Sequence, residues 1–173
     1  TQSFEFGSRG LRYAFYSQHR IIERNEHSDA RCQWSGRRCA HAKQLHAAGV
    51  RFIFDPGQQL PMFDGAELRH FIEQARWVAL NDYEARMLCD RTGHTLESLS
   101  RSHLQGVVVT LGADGCDVWQ QGRCHHLDGQ VASAVVDPTG CGDAFRAALL
   151  FGLERGWGLE RSARLGNRAG AAK

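Results

Sequence analysis

At 173 residues, 42 % hydrophobic and 23 % charged, the chain is long enough for one domain with a buried core and has the composition of an ordinary globular protein. A formal net charge of +2 gives no reason to expect nucleic acid or an anionic membrane as partner. No run of about 20 apolar residues reads as a membrane span, and no basic-then-apolar leader reads as a signal peptide, so the expected location is the cytoplasm.

Residues 1–40 read unlike the rest, with seven arginines, no valine and one short apolar run at Tyr13, Ala14, Phe15 and Tyr16. The expectation is an atypical segment, frame-shifted or poorly ordered. From residue 41 the text becomes regular. Residues 40–48 suit a helix ended by Gly49, and 50–54 (VRFIF) a strand stopped by Asp55-Pro56-Gly57. Asp64 with Glu67 forms a capping box for a helix to about Gln74, with Leu68, Phe71 and Ile72 inward. Residues 77–80 form a short buried strand that Asn81 ends, and 83–89 a short helix. Thr95 with Ser98 starts another. Residues 107–110 (VVVT) are continuous and β-branched, as in strands buried on both faces. Residues 116–119 and 123–127 flank Gln120-Gln121-Gly122 as a hairpin.

Val135 and Val136 lead into Asp137-Pro138-Thr139-Gly140-Cys141-Gly142, and a helix is expected from Asp143 to about Arg155, with Phe145, Leu149, Leu150 and Leu153 at helical spacing. A last helix begins at Leu159. Strands alternating with helices predict an α/β fold with a mostly parallel sheet and one antiparallel excursion. The six cysteines (32, 39, 89, 116, 124, 141) contain no C-x-x-C pair and read as reduced thiols. Cys124, His125 and His126 cannot all face one metal ion on a strand, because neighbours alternate faces.

The segment 137–145 carries the chemistry. A strand enters a glycine-rich turn and a helix leaves it, so the N–H groups of Gly140, Cys141 and Gly142, with that of Asp143 as a further candidate, make an anion hole at the positive end of the helix. Phe145 rules out the dinucleotide G-x-G-x-x-G/A pattern, and no Gly-Lys-Ser/Thr makes it a P-loop. A carboxylate at an anion hole would repel a resting phosphate. It makes sense as a base that takes a proton from a hydroxyl attacking a phosphoryl group. The alternative for Asp143 is an ordinary acidic residue of a first helical turn.

This segment resembles the second signature of the PfkB carbohydrate kinase family, which includes ribokinases and adenosine kinases: Asp137, Thr139, Gly140, Gly142, Asp143, Ala144 and Phe145 all match. Asn81-Asp82-Tyr83-Glu84 is similar to the family's N-x-x-E motif, and Thr110-Leu111-Gly112-Ala113-Asp114-Gly115 to its T-x-G-x-x-G turn. The resemblance covers roughly 41–173, read as the C-terminal portion of a kinase domain, and is closest to bacterial adenosine and sugar kinases. It implies a ribokinase-like, doubly wound sheet flanked by helices and incomplete here. It implies Asp143 as general base, with Asn81 and Glu84 acting on Mg²⁺ through water. Thr110, Gly112, Gly115 and Asn167 would line the nucleotide. ATP and Mg²⁺ are the implied cofactors, with a monovalent cation as a further one. The acceptor is a hydroxymethyl group of a nucleoside or sugar.

Several alternatives stay open. Asn81 and Glu84 also read as a helix cap, and Thr110–Gly115 as a plain glycine turn. Phe54-Asp55-Pro56-Gly57-Gln58 reads first as structural and second as a border of the phosphate site. Arg146, one helical turn from Asp143, suits either a ligand contact or the edge of the core. The family's lid strands, its Gly-Gly motif and most acceptor contacts are not recognisable in this chain. A catalytically inactive fragment that keeps a nucleotide pocket is therefore the second reading. Expressed alone, the chain is expected to be marginally stable and inactive. Neither a nucleic-acid nor a membrane partner is expected, and the residues leave the oligomeric state open.

Overall fold

The computed structural model describes residues 42–130 and 140–172, together with the backbone of Tyr13–Ser17. Within these, six strands form one sheet in chain order: β1 (Tyr13–Ser17), β2 (Arg51–Asp55), β3 (Trp77–Asn81), β4 (Val107–Thr110), β5 (Gly115–Gln120) and β6 (Arg123–Asp128). The first four are parallel; β5 and β6 fold back antiparallel. Apart from the β1 backbone, the expectation about residues 1–40 lies outside the described residues. So do Val135, Val136, Asp137, Pro138 and Thr139.

The alternation of side chains along β2, β3 and β4 divides the core into two. Phe52, Phe54, Val78, Leu80, Val107 and Val109 face one side, where they meet Leu68, Phe71 and Ile72 of helix α2 (Gly65–Gln74) and Leu88 of α3 (Asp82–Thr92). The short helices α1 (residues 42–47) and α4 (Leu96–Ser100) add Ala42 and Leu99 to the same side. Ile53, Ala79 and Val108 face the other side with Phe145, Leu149 and Leu153 of α5 (Cys141–Glu154) and Ala163 of α6 (Leu159–Ala171). Helices on both faces explain why the central strands read as continuous apolar runs.

α5 and α6 approach closely because two glycines leave room. A Cβ on Gly166 would lie 2.7 Å from the Phe145 ring, and one on Gly152 would lie 2.5 Å from the Ser162 hydroxyl. The capping box expected at Asp64–Glu67 is formed, and so are boxes at Asn81–Glu84 and Thr95–Ser98. Several boundaries differ from expectation, α3 running Asp82–Thr92 rather than 83–89. Gln120 pairs with Arg123, so the hairpin turn is two residues, Gln121 (φ 52°) and Gly122 (φ 79°), both left-handed as a type I′ turn requires. α5 starts at Cys141 rather than Asp143, because Gly140 takes the left-handed N-cap position (φ 86°).

Candidate active site

Asp55, Asn81 and Thr110 close three parallel strands, so they lie at the carboxyl end of the sheet, where α/β folds place their sites. The N-terminus of α5 reaches the same end. Its first ladder bond runs from the Ala144 N–H to the Gly140 carbonyl at 2.9 Å. The N–H groups of Cys141, Gly142 and Asp143 therefore precede the helical ladder, at the positive end of a 14-residue helix. The Asp143 N–H, the further member of the expected set, thus lies ahead of the ladder with those of Cys141 and Gly142, and Gly140 is the left-handed N-cap. Gly142 is exposed, and the Asp143 side chain is 60 % exposed.

Arg146 connects this turn to β2. Its Nε meets Asp55 Oδ2, its Nη2 donates to Asp55 Oδ1 at 3.4 Å, and its Nη1 lies 3.5 Å from Asp143 Oδ1. The Asp55 side chain is wholly buried, and its Oδ1 also accepts the Gly57 N–H at 3.1 Å. Burial pushes the Asp55 carboxyl from 3.8 up to about 6. Arg146 opposes that rise, the charge of Glu84 adds to it, and the Gly57 N–H opposes it. This pair was only half legible. One signal was an aspartate closing a strand of solid Phe-Ile-Phe; the other was an arginine in the first turns of a largely apolar helix.

Asn81 and Glu84 hold each other. The Glu84 N–H donates to Asn81 Oδ1 at 2.7 Å, and the Asn81 N–H donates to Glu84 Oε2 at 2.8 Å. Glu84 is only 5 % exposed, which is rare for a carboxylate. Thr110, opposite Asn81 in the ladder, donates its hydroxyl to the Leu80 carbonyl at 3.3 Å. Gly112 (φ 64°) is exposed and open, whereas Gly115 (φ 100°) is pressed so tightly against β6 that a Cβ would lie 2.1 Å from the Leu127 carbonyl oxygen. Asn167 donates to the Leu127 and Asp128 carbonyls, both at 3.1 Å, and ties α6 to the end of β6. It also hydrogen-bonds Cys116, a buried thiol that burial pushes up to about 11. Three residues on, Gly170 lies beside the Cys141 carbonyl, so α6 runs past the glycine turn.

These residues suit a nucleotide phosphate and a hydrated cation. The N–H groups ahead of the α5 ladder suit an anion. Asp55, Glu84 and Asp143 outnumber Arg146, which leaves an excess of negative charge suited to a cation. Among the described residues no three His, Cys, Asp or Glu side chains converge to hold a metal ion directly. Asn81 and Glu84 are the residues that could act on a cation through its waters. His125 and His126 have separate partners, Glu160 at 2.9 Å and Asp117 at 2.7 Å.

The pfkB family carbohydrate kinase profile matches residues 27–173. The structure is similar to that of Burkholderia thailandensis nucleoside kinase in complex with inosine (TM-score 0.75, 44 % identity), covering 79 % of this chain and 45 % of that one. In sequence, the chain is 27 % identical over 113 residues to a nucleoside kinase of Methanocaldococcus jannaschii, covering 65 % of this chain and 37 % of that protein. It is 30 % identical over 124 residues to fructokinase-2 of Solanum lycopersicum, covering 65 % and 38 %. The chain thus spans under half the length of these relatives. A family profile over most of the chain agrees with a parallel sheet whose carboxyl end carries a glycine turn and an aspartate: the chain belongs to the pfkB family of carbohydrate kinases.

Proposed function

We propose that this chain carries the phosphoryl-transfer end of an ATP-dependent kinase that acts on a hydroxymethyl group of a nucleoside or sugar, with Asp143 as general base. The observation that carries the reading is the placement of Asp143 as the third residue of α5, beside N–H groups that lie outside the helical ladder. Bound ATP and Mg²⁺ would supply the phosphoryl group and neutralise its charge. Asp143, exposed at the mouth of the turn, would take the proton of the acceptor hydroxyl. The N–H groups of Cys141, Gly142 and Asp143, with Gly140 forming the bend, would stabilise charge on the phosphoryl oxygens without reorganising. Asn81 and Glu84 would order the waters of Mg²⁺. Thr110, Gly112 and Gly115 would run along the nucleotide, and Asn167 would fix the helix that borders it. A nucleoside is the preferred acceptor, supported by 44 % identity to a kinase whose structure contains inosine.

The second reading is nucleotide binding without turnover, and one fact favours it: the chain spans under half the length of the relatives it matches. One experiment separates the two. Transfer from γ-labelled ATP to inosine, adenosine, ribose and fructose is measured for the wild type and Asp143→Asn. Labelled product from at least one acceptor would overturn the expectation that the chain alone is inactive and support the kinase reading, which then predicts a loss of about 10²–10⁴-fold in kcat for Asp143→Asn, with ATP binding retained. ATP binding without product from any acceptor would favour the second reading.

A further inference from the structure

We propose that Asp55 and Arg146 are a positioning pair for Asp143: Asp55 fixes the guanidinium, and the guanidinium fixes the Asp143 carboxylate against the glycine turn. The proposal rests on the reading of Asp143 as the base.

Arginine offers its donors in a rigid planar fork. Asp55 takes one edge of that fork, through Nε and Nη2. The remaining nitrogen, Nη1, lies 3.5 Å from Asp143 Oδ1 and would lie 2.9 Å from a Cβ on Gly142. One guanidinium therefore pairs with the end of β2 and lies beside both the glycine turn and the base. Asp55 is a firm anchor, since its side chain is wholly buried and its Oδ1 also accepts the Gly57 N–H. Without that anchor, an arginine three residues from an exposed aspartate on one helix would pair with it loosely, as surface pairs do. The anchor also bears on a rival role. To clamp a phosphate with the same edge, Arg146 would have to leave a buried carboxylate unpaired, which is strongly unfavourable. Gly142 gains a second purpose as well: besides opening the turn to an anion, it leaves room for the guanidinium.

A double-substitution cycle on the 173-residue chain tests this. The backbone amide NMR signals of Gly142 and Asp143 and the side-chain carboxyl signal of Asp143 are compared in wild type, Asp55→Asn, Arg146→Gln and the double variant. The expected result is that Asp55→Asn displaces the 142–143 signals, and that the displacement shrinks about threefold or more when residue 146 is Gln, because coupled sites are non-additive. Equal displacement in both backgrounds, or none in either, overturns the proposal. If Arg146→Gln does not fold, Arg146→Lys takes its place, since it keeps the charge but not the fork. Where turnover is measurable, Arg146→Gln should lower kcat about tenfold or more with KM for ATP nearly unchanged, and Arg146→Lys should restore part of it. A rise confined to KM, with kcat unchanged, overturns the positioning role. Undiminished turnover in Asp143→Asn overturns the base assignment instead and leaves the signal cycle to decide the pairing.

Discussion

Asp143 and Asp55 are two carboxylates that share one arginine in different surroundings. Asp143 faces solvent, while Asp55 is wholly buried. Because burial raises the Asp55 carboxyl from 3.8 to about 6, the folded state holds its proton more tightly than the unfolded chain does. Its contribution to stability is fully present below about pH 3.8 and is lost as pH rises through about 6. At about 1.4 kcal/mol per pH unit, the loss is on the order of 3 kcal/mol. Asp55→Asn should flatten the stability profile in this window, measured by urea unfolding at pH 4 and at pH 7. An unchanged slope would mean that the carboxyl is not held in this way. Arg146→Gln should destabilise at pH 7.5 by about 3 kcal/mol, since it leaves a buried charge without its partner.

At the scale of elements, local signals were the legible ones. Asp64, Asn81 and Thr95 announce their helices because a capping box needs only residues three apart, and all three boxes form. Asn81→Ala should therefore cost about 1 kcal/mol of stability whatever its part in binding a cation. Thermal denaturation without nucleotide isolates that cost, and no change would contradict the cap. Val107–Thr110 was legible as a strand for a similar reason, being β-branched throughout. The start of α5 was not, because nothing local says that Gly140 turns left-handed and so admits Cys141 and Gly142 to the helix. The Asp55–Arg146 pairing was only half legible for a different reason: its partners lie 91 positions apart and meet only once β2 and α5 are packed. The close α5–α6 contact belongs to the same class. Gly166→Ala should cost about 1–3 kcal/mol through the Phe145 ring, and a neutral result would mean that the helices can separate.

For the molecule as a whole, one sheet backed by a hydrophobic cluster on each face predicts a single cooperative transition among the described elements. Leu68→Ala and Leu149→Ala, at fully buried positions on opposite faces, should each lower stability by about 2–5 kcal/mol without splitting the transition. Two transitions, seen as far-ultraviolet and near-ultraviolet circular dichroism curves that fail to coincide, would mean that the faces fold separately. The family resemblance was legible because its motifs are short and local. The arrangement of those motifs at one end of the sheet required the fold. In the proposed function this end of the sheet holds the phosphates of a nucleotide, with Asp143 acting on the acceptor rather than holding the donor. Calorimetric titration of ATP, with and without Mg²⁺, into the wild type and Asp143→Asn tests it most directly. Mg²⁺-dependent binding is expected in both, with the variant binding as tightly as the wild type or more so, because a negative charge beside the phosphates has been removed. Absence of binding in both, or its loss on Asp143→Asn, would contradict it.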